Sequence, residues 1–286
     1  MAELPLSPQG RRYNATPSKP ALTTPGFPSH IIYLALAEPK AKGSLTGTVG
    51  PTKDQGAQGS CDGNSNGSLG ERLYLRWRPG VPFVKFSAAY SYAQERLLDG
   101  TFPDDAGSTI ETSTHIVEPR YPGGTGWCPE SLMPYDQDVC NVKPSAAQIA
   151  EAAKYPGGAY HSIGNNIANI KSCIDSDYSF LIGIAVFDSF EADSTASSGL
   201  VPFPDTNAEK LLGYHALHCG MEYDDSLQCP GSANPGAVKF QNSWGTGWGT
   251  KCALSGEGGF GWLSYDFLAN SQLTTDVRLG HLGKAW

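Results

Sequence analysis

Asn242-Ser243-Trp244-Gly245-Thr246-Gly247-Trp248-Gly249 is the stretch that decides how this chain is read. An asparagine side-chain carbonyl can accept an imidazole N–H and so fix the ring's tautomer. An indole two residues later can cover that hydrogen bond from water. The chain has only 6 Trp, so two Trp-Gly pairs this close together stand out. A glycine-rich surface turn with packed indoles is the plain alternative. If the asparagine has a histidine partner, it has to lie elsewhere in the chain.

Working outward, Gly213-Tyr214-His215-Ala216 supplies that partner. The segment 215–223, HALHCGMEY, alternates as a strand does, with His215, Leu217, Cys219, Met221 and Tyr223 on one face. His218 has the opposite parity, so both histidines cannot face one cleft. A histidine satisfied within the core would give the same local pattern. Further back lies Gln55-Gly56-Ala57-Gln58-Gly59-Ser60-Cys61. A nucleophilic thiol needs a depressed pKa, a base in reach and donors for the oxyanion. A cysteine in the first turn of a helix sits against the positive end of the dipole. The Gly59-Ser60 turn leaves room for a substrate backbone. The Gln55 amide could point at an oxyanion beside the Cys61 N–H. By itself a Gly-Ser-Cys block fits a buried core cysteine equally well.

Taken in order, Gln55, Cys61, His215 and Asn242-Ser243-Trp244-Gly245 resemble the papain family of cysteine peptidases. The chain keeps Gln55, Gly56, Gly59, Ser60 and Cys61 of the family's cysteine block, and the asparagine block through Trp248 and Gly249. Four other stretches resemble the propeptide-less microbial and viral members: Cys128-Pro129-Glu130-Ser131, Pro134-Tyr135-Asp136, Ser198 to Pro202 and Tyr265-Asp266-Phe267-Leu268. The resemblance spans roughly residues 50 to 270. It implies Cys61 as nucleophile, His215 as acid and base, Asn242 as its orienter, and Gln55 with the Cys61 N–H as oxyanion hole. It also implies that Trp244 shields the Asn242–His215 contact and that Gly107 pairs with an extended substrate. Tyr214 and the strand around Ala185 are expected to line an apolar substrate pocket. The implied activity is hydrolysis of peptide bonds, as an endopeptidase, through an acyl-enzyme. A papain-fold binding or structural protein without turnover, or a thiol acyltransferase or amidase, are the alternatives.

Two departures bear on that chemistry. Gln58 stands where the family has a cysteine, so the disulfide made there is missing. Asp62 stands where the family has a tryptophan, directly after the nucleophile. A carboxylate there favours the helix but disfavours a thiolate beside it. The stretch Gly63 to Gly70 is also rich in glycine for a helix, each costing roughly 1 kcal/mol against alanine.

The expected fold is α+β: a two-lobed papain-like fold, with a helical N-terminal lobe, an antiparallel β-barrel-like C-terminal lobe and the cleft between them. Helices are expected from Ser60, over SAAYSYAQERLL after Phe86, and from near Ser108. Strands are expected at 31–36, 179–187, 215–223, 236–244 and 258–268. Residues 1–30 read as an extended arm with prolines at 5, 8, 17, 20, 25 and 28, and 31–286 as one catalytic domain, divided near residue 155. That proline density forbids a helical inhibitory prosegment. The expectation is therefore an enzyme competent as the full chain, with the arm a tether or partial cover.

Formal net charge is -8, and no basic stripe is present, so nucleic acid is not an expected partner. No apolar run reaches the length of a signal peptide or a membrane span. A cytoplasmic or virion-associated location is thus expected over classical secretion. The expected partner is a peptide or protein substrate, with no cofactor, metal or membrane; oligomeric state is left open. Of the 7 Cys, most are expected to be reduced and buried, with 128/140 and 229/252 the first candidates for pairing.

Overall fold

The computed structural model describes residues 6–18, 40–280 and 282. The strand expected at 31–36 lies outside them. In chain order the elements are β1 (Lys42–Ser44), α1 (Cys61–Trp77), α2 (Ala88–Asp99), α3 (Ile110–Val117), α4 (Ala146–Ala152), β2 (His161–Ser162), α5 (Ile167–Asp175) and β3 (Phe180–Phe187). A 3-10 turn at Asp188–Glu191 leads to α6 (Asp193–Ser198), β4 (Leu211–Asp224), β5 (Ala237–Gln241), β6 (Phe260–Ser264), α7 (Tyr265–Ala269) and β7 (Thr274–Leu279).

Helices come first and sheet second, as the two-lobed reading requires. The sheet runs β2-β7-β3-β4-β5-β6, with β1 added against β4. All of these pairings are antiparallel, and the sheet is open among the described residues. β3 reads FLIGIAVF and is buried at every position, which suits a strand flanked by β4 and β7 and covered on both faces. β4 is long enough to pair with β3 through its first part and with β1 and β5 through its second. The expected last strand at 258–268 is in fact a strand followed by a short helix. Ser264 caps that helix by accepting from the Phe267 N–H.

α1 is the central helix. It is buried without interruption from Cys61 to Leu73, so its first half has no solvent face. Its glycines now have a reason. A Cβ at Gly63 would lie 2.9 Å from the Ala88 carbonyl oxygen and from the Tyr92 nitrogen, backbone atoms of α2. A Cβ at Gly70 would strike the Trp127 indole at 2.6 Å. Helix propensity is given up so that α2 and an indole can approach the helix that carries Cys61. Leu69 and Leu73 on α1 are buried, whereas Trp77 at its end is exposed.

Two buried ion pairs fix α1 in place. Lys53 Nζ meets Glu71 at 2.6 Å, and the same Glu71 oxygen accepts the Phe86 N–H at 2.8 Å. Arg72 reaches across to Asp177, just ahead of β3, at 2.6 Å. That second contact pins the helical lobe to the sheet. All seven cysteines are free thiols, so neither 128/140 nor 229/252 is bonded. No helix among the described residues is long and apolar enough to cross a membrane.

Candidate active site

Cys61 is the first residue of α1, preceded by Ser60 at the cap position. The Ser60 side chain makes no capping bond. Instead Asn64 folds back and donates to the Ser60 carbonyl at 2.9 Å and to its hydroxyl at 3.1 Å, tying down the turn before the thiol. On the other lobe, β4 carries His215 and the turn after β5 carries Asn242. His215 Nε2 lies 2.9 Å from Asn242 Oδ1, which also accepts the Ser243 N–H at 2.8 Å. The Asn242 oxygen can only accept, so the Nε2 proton belongs to His215. Trp244 stacks on the His215 ring at 5.1 Å, 29° from parallel, and shields that contact.

Gln55 joins the two lobes. Its Nε2 donates to the Gln58 carbonyl at 2.8 Å, its Oε1 accepts from the Ser243 hydroxyl at 2.5 Å, and its backbone N–H donates to the Ser243 carbonyl at 2.9 Å. The amide is thereby aimed, with one N–H still free of these bonds. Gln58, at the position where the resemblance would place a disulfide cysteine, makes hydrogen bonds instead. It donates to the Asp136 carbonyl at 2.6 Å and accepts from the Tyr135 hydroxyl at 3.2 Å. These bonds tie Pro134-Tyr135-Asp136 to the cysteine turn.

His218 is not part of the site. Its two nitrogens meet Gln241 at 3.1 Å and Ser179 at 2.7 Å inside the β lobe. Parity separated the two histidines correctly. Ala185 is buried in β3, in register with Tyr214 of β4.

Cys61 and His215 are both 0% exposed. Burial pushes the Cys61 thiol well above its ordinary value, and the Asp62 charge adds to the push. Burial likewise lowers His215 to about 4, against the opposing pull of the Asn242 hydrogen bond and with the Arg11 charge assisting. Cys61 Sγ lies 3.9 Å from Asp62 Oδ2, and His215 Nδ1 has no hydrogen-bond partner among the described residues. Burial thus favours the neutral form of each group, and no hydrogen bond joins the thiol to His215 Nδ1.

What buries them is the arm, which sequence reasoning expected to be at most a partial cover. Residues 7–18 run through the cleft. Ser7 and Tyr13 both donate hydroxyl hydrogen bonds to Glu191. The Tyr13 ring packs edge-on to His215 at 6.1 Å, and the Arg11 guanidinium lies 4.1 Å over Trp244. The Tyr13 carbonyl accepts the Tyr214 N–H at 3.4 Å, and Asn14 Nδ2 donates to the Asp105 carbonyl at 2.9 Å. Thr16 N–H donates to the Ser108 carbonyl at 2.8 Å, and Ser18 N–H to Asp276 at 3.0 Å. The fit depends on two glycines at positive φ. A Cβ on Gly107 would lie 2.0 Å from the Asn14 carbonyl oxygen, and one on Gly213 would lie 2.5 Å from that of Tyr13. The prolines keep the arm from being a helix, and extended backbone is what such a groove accepts. Glu191 and Asp105 were invisible to sequence reasoning because their partners lie far away in the chain.

Among the described residues no cluster of metal-ligating side chains is assembled.

Against known proteins, no family model matches the chain. It is 26% identical over 231 residues to an uncharacterised peptidase C1-like protein of Acanthamoeba polyphaga mimivirus, covering 78% of this chain and 67% of that one. Its fold matches xylellain, a cysteine protease from Xylella fastidiosa, with TM-score 0.80 and 22% identity over 96% of this chain and 98% of that one. It also matches digestive procathepsin L 3 of Tenebrio molitor larval midgut, with TM-score 0.61 and 17% identity over 98% of this chain and 76% of that one. The chain has the papain-like fold. In sequence as in fold, its resemblance is to the papain-like cysteine peptidases.

Proposed function

We propose that the chain is a cysteine peptidase that hydrolyses peptide bonds through a Cys61 acyl-enzyme. The observation that carries this reading is the His215–Asn242 hydrogen bond under Trp244, facing a cysteine at a helix N-terminus across one cleft. In the reaction His215 takes the thiol proton, Cys61 attacks the carbonyl, and the negative oxygen is met by Gln55 Nε2 and the Cys61 N–H. His215 then protonates the leaving amine and activates the water that releases the acid. Tyr214, Gly107, Trp244 and Ala185 are the residues proposed to line the substrate site.

An endopeptidase fits best, because the arm already passes an extended chain right through the cleft, continuing on both sides of the site. We further propose that this covered form is a resting state, opened when the arm leaves or is displaced. Opening readmits water and removes the burial that keeps thiol and imidazole neutral.

The test uses a thiol-reactive peptide probe and a fluorogenic peptide digest. Cys61→Ser should lose activity on the order of 10⁴-fold or more while melting like the parent. Near-parental turnover would place the nucleophile elsewhere. A parent that neither labels nor cleaves, even with the arm removed, would favour a binding protein. A new amide in place of an acid product would make it an acyltransferase.

A further inference from the structure

Glu191 ends the 3-10 turn after β3 and is 6% exposed. Its Oε1 accepts hydrogen bonds from the Ser7 and Tyr13 hydroxyls, both on the arm. Its Oε2 is buried with no hydrogen-bond partner among the described residues. The Glu191 carbonyl also meets the arm, accepting from Gln9 Nε2 at 3.2 Å. Among the described residues, none outside the arm donates to this carboxyl group. The neighbouring acids differ. Asp188 accepts the Lys210 N–H at 2.9 Å, and Glu209 accepts the N–H groups of Ser189 and Asp205, each at 2.9 Å. Those side chains stitch their own wall together. Glu191 is served by the segment that covers the cleft, and a buried carboxyl group without local partners is costly to keep.

Beside Glu191 stands an aromatic platform. Phe190 meets Trp244 edge-on at 5.2 Å and stacks on Trp248 at 5.9 Å, 20° from parallel. The arm lays a cation on this platform, with the Arg11 guanidinium 4.1 Å over the Trp244 ring. The Ser7 hydroxyl stands between that residue and the carboxyl group: it donates to Glu191 Oε1 and accepts the Arg11 N–H at 3.1 Å. One hydroxyl thus fixes the Arg11 backbone and the Glu191 carboxyl as neighbours. The Tyr13 ring lies 5.9 Å from Trp244, and its hydroxyl takes the same Oε1. Asp54, bridged to Trp244 through the backbone, adds a second acid to this end of the cleft.

We propose that Glu191 and Trp244 form a subsite for an arginine of the substrate, on the leaving-group side of the scissile bond. The inference rests on the peptidase reading, since it assigns a specificity residue to the same cleft. The indole takes the flat face of the guanidinium, as it takes that of Arg11. The carboxylate takes the N–H edge once the Ser7 and Tyr13 hydroxyls have left with the arm. The arm fills this subsite in two pieces, a guanidinium on the indole and hydroxyls on the carboxyl group. A substrate arginine supplies both contacts from one side chain. The side follows from the chemistry. His215 protonates the departing amine, and Trp244 is stacked on His215, so residues after the cut pass along Trp244. Lysine, a point charge without a planar face, should rank below arginine.

The test compares peptides that differ only in arginine against citrulline, its uncharged isostere, at the first or second residue after the cut. With the full-length parent, kcat/KM should favour arginine by about tenfold or more. In Glu191→Gln the ratio should fall to about threefold or less, which is what stacking on Trp244 leaves. Losing Glu191 also loosens the arm, but that raises both rates alike and cancels in the ratio. Equal rates for the two peptides in the parent, or an undiminished ratio in Glu191→Gln, overturn the proposal. If Glu191→Gln does not fold, Glu191→Asp takes its place; its carboxylate is drawn back by one methylene, and the ratio should at least halve. If the parent cleaves neither peptide, the peptidase reading is what fails. The same pair, labelled with fluorescein, then decides the subsite by anisotropy on the full chain. Tighter binding of the arginine peptide, lost in Glu191→Gln, supports the subsite; equal binding of the two refutes it.

Discussion

The two walls of the cleft are built on opposite terms. On the β wall hydrogen bonds chain the site together, His215 to Asn242, the Ser243 N–H to Asn242 and the Ser243 hydroxyl to Gln55, while His215 Nδ1 and Asn242 Nδ2 have no partner among the described residues. On the helical wall Cys61 contacts the Asp62 carboxyl, whose other oxygen is buried without a partner among the described residues. Both walls are dry, and burial drives both reacting groups toward their neutral forms. The difference teaches where this chain is free to vary. The β wall fixes the imidazole, and its motif matches the papain family closely. The helical wall tunes the thiol, and there the chain departs from the family at Gln58 and Asp62.

The harshest way to break the comparison is to part the walls. Asp177→Ala leaves Arg72 buried without its partner and should cost about 3–5 kcal/mol in unfolding free energy, read by urea denaturation. A loss below about 1 kcal/mol would mean that the Arg72–Asp177 pair does little to hold the lobes together. Next is the residue that belongs to both walls. Gln55→Ala should lower kcat by about 10²-fold with little change in KM; an effect confined to KM would remove it from the oxyanion site.

The cover is weaker than either wall. Tyr13→Ala removes a buried ring and its hydroxyl bond to Glu191. Labelling of Cys61 by a peptide probe should then speed up about tenfold or more, in keeping with the 2 kcal/mol or so that such a truncation costs. Equal rates in parent and variant would show that Tyr13 does not hold the arm down. The mildest test is pH. His215 and His218 have native values lowered to about 4 and about 3, so between roughly pH 6.5 and 4 the unfolded chain binds protons that the native one refuses. Stability should be fully present above that window and fall on acidification by about 1.4 kcal/mol per pH unit for each histidine. His218→Gln should remove about half of that slope and leave the site's hydrogen bonds alone.

How much of this was legible in the sequence follows the same division. Asn242 to Gly249 is a contiguous motif whose residues touch one another, so its chemistry could be read in place. Strand parity was enough to separate His215 from His218. The periodic helices α1 to α3 were visible, as were β3 to β6. β7 was missed because TTDVRL carries little apolar signal, and α5 because its Ile167, Ile170 and Ile174 sit in a short polar segment. Glu95 looked like an ordinary helix residue; only the fold shows that α2 turns it inward against α1. The course of the arm was unreadable for a related reason. Tyr13 finds Glu191 across a separation of 178 positions in the chain, and nothing local to either announces the other.

Because the arm is joined to the chain it covers, its competition with substrate is intramolecular. Tethered segments act at effective concentrations that can reach the millimolar range, whatever the concentration of the protein. Dilution therefore cannot uncover the site, and a substrate present at micromolar levels meets a closed enzyme unless something else captures or cuts the arm. Once severed, the same segment is an ordinary ligand that diffuses away, so a single cut in the arm would convert a standing equilibrium into an almost irreversible commitment.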